Sequence, residues 1–200
     1  MRRRWVTLLI ATVAVTVLVF TLRLVRDREP VYKGRTLSEW LVIELDTMDS
    51  YSAIGETVEA AKRQSAATTA IRQIGTNALP SLLKWTAYQE PPWRTNLYFR
   101  LPTACQRSFL GRLVWHHTNN SPDRKAYVGF FVLHAQADPA IPALAQIARR
   151  SKMLGPRYSA LKYLGCIGGN ARPAIEPFMH DSDPNVRQQA QSAYDEAAGR

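Results

Sequence analysis

The sequence contains little of what most catalytic and metal-binding sites require. Only two of its 200 residues are cysteine and four are histidine. Cys105 and Cys166 fit neither a C-x-x-C motif nor the spacing of a zinc site, and the adjacent His116 and His117 would diverge by about 100° on a helix. Nucleophile-elbow, phosphate-loop and dinucleotide-binding patterns are also missing. We therefore predict a protein that is not an enzyme and has no cofactor or metal site.

Acidic residues are scarce in the middle of the chain. Residues 60–175 contain 16 Lys and Arg but three Asp and Glu, although the whole chain has a formal charge of +10. The positive electrostatic potential of this segment favours a polyanionic partner: anionic lipid headgroups, envelope polyanions, or nucleic acid if the domain faces the cytoplasm. Solvation of outer helical faces is the competing explanation, and the better one for any single residue. The densest cluster without an acid is a candidate partner-binding surface and comprises Arg149, Arg150, Lys152, Arg157 and Lys162.

One long apolar run follows the basic N-terminus. It begins at Trp5, ends at Leu22 and has eighteen uncharged residues, which approaches the roughly 20 that a membrane-spanning helix needs. The C-terminal end of this run contains no Ala-x-Ala cleavage site. We therefore predict a retained signal-anchor in residues 1–26, with a cleaved signal peptide as the alternative. The flanking charges are nearly balanced. A very short basic N-terminus usually stays cytoplasmic, which would place the rest of the chain outside.

A six-residue phrase occurs three times: GTNALP at residues 75–80, ADPAIP at 137–142 and GGNARP at 168–173. Each has a small residue, then Ala three positions later and Pro five positions later. The last two prolines are 31 residues apart, and the first two are 62 apart, which is twice that distance. A fixed period of this length is typical of stacked helical repeats.

Each copy of the phrase lies between two apolar runs with helical spacing. We predict that Gly75 and Gly168 end one helix. Asn77, Asp138 and Asn170 are then expected to cap the next, with a proline in its first turn. The predicted unit is therefore a helix, a tight turn and a second helix, and we predict an all-α protein with no strand outside the N-terminal apolar run.

Three further helix starts are readable in the sequence. Thr36 and Glu39 form a capping box before an apolar stripe. Ser121 and Asp183 each precede a proline and a helix-period run.

The two cysteines are 61 residues apart, which would put them in non-adjacent units of a regular stack. We expect buried, reduced cysteines, with a disulfide as the alternative if the domain is extracytoplasmic.

These patterns resemble those of a known family. Residues 70–83 read A-I-x-x-I-G-x-x-A-x-P-x-L-L and residues 161–173 read L-x-x-L-G-x-I-G-x-x-A-x-P, and both resemble short bacterial HEAT repeats. Residues 181–190, D-x-D-P-x-V-R-x-x-A, resemble the start of a further unit. Residues 32–41, Y-x-G-x-x-L-S-x-W-L, resemble the lead-in of membrane-tethered HEAT-repeat proteins of bacterial envelopes. The resemblance implies a right-handed α-solenoid and says little about activity, because such solenoids serve many partners.

The expected organisation is an anchor, a lead-in segment with a capping helix in residues 27–56, and a solenoid in residues 57–200. The solenoid units are expected at about 57–90, 121–153 and 154–180, with a terminal half-unit at 181–200. Residues 91–120 lack the phrase and form a degenerate or inserted unit rich in aromatic residues. A bulky core explains these aromatics best. A peptide-binding groove or membrane contact is the alternative and makes three of them candidate partner-binding residues, namely Trp93, Tyr98 and Trp115.

The leading functional hypothesis is a membrane-anchored, non-catalytic HEAT-repeat scaffold that binds another protein or a peptide at the cell envelope. Its motivation is an anchor joined to stacked hairpins, which present an extended surface. One alternative is a cytoplasmic-facing, nucleic-acid-binding protein or DNA-acting enzyme, which the basic body would suit. A further alternative is a surface that binds anionic lipid.

Overall fold

The computed structural model describes residues 29–51, 58–88, 100–106 and 121–199. Helices dominate these residues, so the predicted all-α class is confirmed. Short 3-10 turns occur at Gly75–Ala78, His134–Ala140, Gly169–Ala171 and Glu176–His180. The α-helices are α1 (Leu37–Tyr51), α2 (Val58–Ile74), α3 (Leu79–Thr86), α4 (Thr103–Gln106), α5 (Pro122–Leu133), α6 (Ile141–Arg150), α7 (Leu154–Ile167), α8 (Arg172–Ile175) and α9 (Pro184–Ala198).

The predicted membrane anchor between Trp5 and Leu22 lies outside the described residues. Within the four described segments, no helix has both the length and the apolar character needed to span a bilayer. The anchor therefore stays a prediction from the sequence.

A small β-hairpin precedes α1, and the prediction of no strand here was wrong. Strands β1 (Val31–Tyr32) and β2 (Arg35–Thr36) pair antiparallel. Lys33 and Gly34 link them with φ angles of 49° and 78°, the left-handed conformation that two-residue hairpin turns require. Strands of two residues are too short to leave a period-2 pattern in the sequence, so periodicity does not predict them.

Helix starts with a side-chain cap were predicted correctly. The Glu39 carboxylate accepts from the Thr36 amide at 2.7 Å, and the Thr36 hydroxyl accepts from the Glu39 amide at 3.3 Å. Ser121 caps α5 and Asp183 caps α9 by accepting backbone N–H groups at 3.3 and 2.9 Å. These contacts join residues two or three positions apart, so the local sequence is enough to specify them.

The predicted caps at Asn77, Asp138 and Asn170 were wrong. A capping residue has an extended backbone, whereas the chain enters these three helices from 3-10 turns and is already helical. The residue at each cap position is an alanine with φ between −73° and −85° and no side-chain hydrogen bond. These alanines are Ala78, Ala140 and Ala171.

The ends of the preceding helices agree with the prediction at two of the three turns. Gly75 and Gly168 have φ angles of 57° and 112°, which glycine adopts without steric cost. In the middle copy the turn begins at His134, three residues before Ala137, and His134 has a φ of 45°. Its Nδ1 lies 3.1 Å from the carbonyl oxygen of Cys166, so this strained residue is tied to helix α7.

The hairpins pack side by side. Helix α5 contacts α1, α2 and α3, and α7 contacts α5, α6 and α9. The turn Gly75–Ala78 contacts His134–Ala140, which in turn contacts Gly169–Ala171. The hairpin of α2 and α3 therefore lies directly beside that of α5 and α6, although their phrases are 62 residues apart. Helix α9 packs on α7 at the C-terminal end.

The core is continuous through these contacts. Leu41, Ile71, Leu82 and Phe130 are fully buried and come from four different helices, α1, α2, α3 and α5. Full burial of one such side chain contributes about 1.5–3 kcal/mol. Because a single hairpin cannot cover its own apolar face, the contacts between neighbouring hairpins bury these side chains.

Candidate interaction surfaces

Three of the five predicted basic residues lie together on the surface at the end of α6. This helix buries Leu144 and Ala148 on one face. Arg149 and Arg150 form its exposed last turn, and Lys152 is exposed in the connection to α7. Cations at a helix C-terminus also interact favourably with the helix dipole. The three side chains nevertheless remain accessible to a partner.

Arg157, by contrast, is occupied within the fold. Its Nε donates to the carbonyl oxygen of Ala148 at 2.9 Å, and its Nη2 donates to the carboxylate of Asp181. Both side chains of this ion pair are 17% exposed. The Asp183 amide and Arg157 together hold the pKa of Asp181 below its ordinary value. Arg157 therefore joins the end of α6, the start of α7 and the turn before α9.

Lys162 is exposed but has a partner from the neighbouring hairpin. Its Nζ lies 3.7 Å from the ring centroid of Tyr127 on α5, a cation–π geometry. Tyr127 also lies beside Tyr163, with 6.3 Å between ring centroids. Lys162 thus covers an inter-hairpin aromatic contact and lies on a different helix from Arg149 and Arg150.

The predicted aromatic candidates Trp93, Tyr98 and Trp115 lie outside the described residues. Their role in partner binding stays a prediction. Of the two cysteines, Cys166 is buried and Cys105 is half-buried, and no disulfide bond joins them in this structure. The expected burial is thus found for Cys166 and not for Cys105, and the reduced state stays a prediction.

Two exposed apolar residues beside the basic cluster were missed at the sequence level. Met153 is 55% exposed and Leu154 is 42% exposed. Met153 occupies the N-cap position of α7, has an extended backbone and makes no capping hydrogen bond. Ser, Thr, Asn or Asp normally stands there. The sequence signal for this surface is a methionine directly before Leu154, at the start of a helix whose first turn contains Pro156.

A second surface that the sequence did not reveal is an open cleft of about 450 Å³ between α1 and α5. Val42 and Ile43 provide its apolar lining, and Arg35 and Lys125 provide cations. Lys125 lies 5.9 Å from the ring centroid of Trp85. Burial lowers the pKa of Lys125, and the charge of Glu29 opposes that shift. The other two lining residues are Ser38 and Glu39.

Buried polar groups link helices. Glu44 is 4% exposed and accepts hydrogen bonds from Thr68 at 3.1 Å and Gln64 at 3.4 Å. Burial raises the pKa of Glu44, and these two hydrogen bonds oppose the shift. Tyr163, which is 1% exposed, donates to Asp123 of α5, and burial raises its pKa. These groups serve contacts between helices.

No cluster of His, Cys, Asp and Glu with the geometry of a metal site occurs among the residues described. No family model, curated protein sequence or solved structure matches this chain. Function is therefore inferred from the chain's own residues and their arrangement.

Proposed function

We propose that this chain is a membrane-anchored, non-catalytic scaffold of HEAT-like helical hairpins that binds another protein or a peptide at the cell envelope. The observation that carries the proposal is the side-by-side contact of successive helix–turn–helix hairpins through both their helices and their turns. Stacked hairpins form an extended surface along the stack, and proteins built from stacked repeats commonly bind their partners on this surface.

The cleft between α1 and α5 is the place on this scaffold best suited to a peptide. Val42 and Ile43 offer apolar contact, while Arg35 and Lys125 offer charge. A segment that combines an apolar side chain with a carboxylate would satisfy both features, because buried apolar area supplies affinity and charge complementarity supplies specificity. A carboxylate bound in the cleft would add to the counter-charge that Glu29 gives the half-buried Lys125, which favours an acidic segment over a neutral one.

The non-catalytic part of the proposal is supported by how the interior polar groups are used. Glu44, Tyr163 and Asp181 have shifted pKa values, which is common at active sites but also in structural networks. Each of the three is hydrogen-bonded to a residue of a neighbouring element. Their arrangement is explained by contacts between helices.

Site-specific crosslinking in intact cells tests the scaffold proposal. A photoreactive amino acid in place of Val42 would face the cleft, and the same residue in place of Gln188, exposed on α9, serves as the control. We expect one or a few protein adducts from position 42, identified by mass spectrometry, and none from position 188. Lys125→Glu should weaken the adduct. Absence of adducts from position 42, and from the same photoreactive amino acid placed at Ile43, would contradict a peptide-binding cleft.

Protease treatment of intact cells tests the location. We expect external protease to remove the hairpins, with a cytoplasmic protein protected in the same sample. Protection of the hairpins in intact cells, with cleavage after permeabilisation, would contradict an envelope scaffold and favour the nucleic-acid-binding alternative.

A further inference from the structure

The connection between α6 and α7 combines exposed apolar and basic side chains in one short segment. Met153 and Leu154 are 55% and 42% exposed. Arg149, Arg150 and Lys152 are exposed immediately before them. Isolated exposed apolar residues are ordinary on protein surfaces. Two adjacent ones beside three cations are the composition of an interfacial membrane contact.

Folding does not account for the two apolar side chains. Exposed methionine and leucine contribute little to burial, and Met153 stands where a polar cap would stabilise α7. The position therefore lacks a stabilising contact that serine or aspartate would supply. A ligand that covers Met153 and Leu154 provides the missing reason for their presence.

The electrostatic surroundings favour an anionic surface. No Asp or Glu occurs between residues 139 and 175. Arg157 links the end of α6 to Asp181, and the charge of Asp181 is paired with Arg157. Arg157 also contacts the carbonyl of Ala148, next to the basic cluster. Among the described residues, no ion pair is found for Arg149, Arg150 or Lys152.

The segment is also held in place by the fold. The Ser151 amide donates to the Ile147 carbonyl at 3.0 Å, and Arg157 ties the end of α6 to the turn before α9. A surface segment fixed in this way loses little conformational entropy when it binds. Its apolar and basic side chains are thus displayed together before any partner arrives.

We infer that residues 149–154 form a membrane-docking loop that places Met153 and Leu154 at the acyl boundary of an anionic bilayer, with Arg149, Arg150 and Lys152 at the lipid phosphates. A nucleic acid would use the three cations but offers no apolar layer for the two exposed side chains. A bilayer uses both features. This inference concerns a surface remote in sequence from the proposed peptide cleft and does not depend on a protein partner.

Depth-dependent quenching in nanodiscs tests the inference with the full chain. An environment-sensitive fluorophore is attached to Met153→Cys in a Cys105→Ser background, which leaves the fully buried Cys166 as the remaining native thiol. We expect lipids with a quencher near the headgroup end of the acyl chain to quench the label in phosphatidylglycerol-containing discs. Quenching should be much weaker in pure phosphatidylcholine. A label at Val58→Cys, which replaces a residue that is 87% exposed on α2, is the control.

Charge variants separate docking from mere proximity to the disc. Arg149→Gln/Arg150→Gln should shift the docked-to-undocked ratio about 25-fold toward undocked, at about five-fold per cation near an anionic surface. The pair Lys62→Gln/Arg63→Gln, which removes two exposed cations of α2, should leave the ratio unchanged. Circular dichroism melts check that each variant is folded.

Three outcomes would overturn the inference. Quenching at position 153 that is equal in anionic and neutral discs would remove the electrostatic part. Equal loss of quenching in the two charge variants would show a general effect of net charge. A label that responds to an added single-stranded oligonucleotide but not to lipid would identify the cluster as a nucleic-acid contact.

Discussion

Asn170 donates a hydrogen bond from Nδ2 to Oδ2 of Asp138 at 2.6 Å, across the turns of two successive hairpins. Both residues belong to the repeated phrase, and both were predicted to cap helices. They instead connect neighbouring turns. The other oxygen of Asp138 is buried without a hydrogen-bond partner in the described part of the chain, so the bond from Asn170 satisfies only one of the two carboxylate oxygens.

The first prediction concerns this link. Asn170→Ala should lower the free energy of unfolding by about 1–2 kcal/mol, because a hydrogen bond to a charged group is lost. Asn170→Asp should cost more, since it places two carboxylates in contact. The matched control is Asn77→Ala, at the same position of the first phrase and exposed, with an expected change within about 0.5 kcal/mol. Thermal unfolding in mild detergent measures all three, and equal effects of Asn77→Ala and Asn170→Ala would refute the link.

The second prediction concerns helix packing. A Cβ atom on Gly165 of α7 would lie 3.0 Å from both the Cα and the carbonyl oxygen of Ala193 on α9. Backbone cannot move aside as a side chain can, so Gly165→Ala should destabilise the protein by about 1–3 kcal/mol. At Gly155, in the first turn of α7, a Cβ would meet nothing within 4 Å. Gly155→Ala should therefore be neutral or stabilising by up to about 1 kcal/mol. Equal melting temperatures for the two variants would contradict the close approach of α7 and α9.

The third prediction concerns pH. Burial raises the pKa of Glu44 above 4.5, so the folded state binds more protons than the unfolded state between 4.5 and the raised value. The stability that Glu44 contributes therefore increases as the pH falls through this window. Any increase in the free energy of unfolding caused by Glu44→Gln should be largest above the raised pKa of Glu44 and should shrink toward pH 4.5.

Glu39 provides the control of opposite sign. Hydrogen bonds from Thr36 hold the pKa of Glu39 below 4.5, so its contribution is present above pH 4.5 and is lost as the pH falls through the lowered value. Glu39→Gln should therefore lower the free energy of unfolding above pH 4.5, and this loss should disappear in acid. Unfolding curves across a pH series measure both variants. Parallel profiles for Glu44→Gln and Glu39→Gln would show that Glu44 is not buried as described.

The fourth prediction distinguishes two arginines of the basic cluster. Arg157→Gln removes hydrogen bonds to the Ala148 carbonyl and to Asp181, and hydrogen bonds to charged groups contribute about 1.5–3 kcal/mol each. We expect a clear loss of stability. Arg150→Gln changes an exposed side chain and should alter stability by less than about 0.5 kcal/mol. If Arg150→Gln were the more destabilising of the two, the assignment of Arg157 to the fold would fail.

The candidate surfaces were only partly predictable. The absence of Asp and Glu around the cluster indicated a basic surface in the sequence, and Arg149, Arg150 and Lys152 are indeed exposed together. Composition could not separate these residues from Arg157, which has the same chemistry but contacts Asp181, 24 residues away. The cleft next to Lys125 was invisible for the same reason, because its walls come from elements far apart in sequence.

The sequence alone determined the helical class, the turns at the repeated phrase and the caps at Thr36, Ser121 and Asp183. Each depends on residues within a few positions of one another, so periodicity and local hydrogen bonding record them. Only the tertiary structure decided which hairpins are neighbours. It also decided that Asn170 bonds Asp138 rather than capping a helix, and which basic side chains remain exposed. Those outcomes depend on the packing of apolar faces, which brings distant residues together without leaving a local pattern.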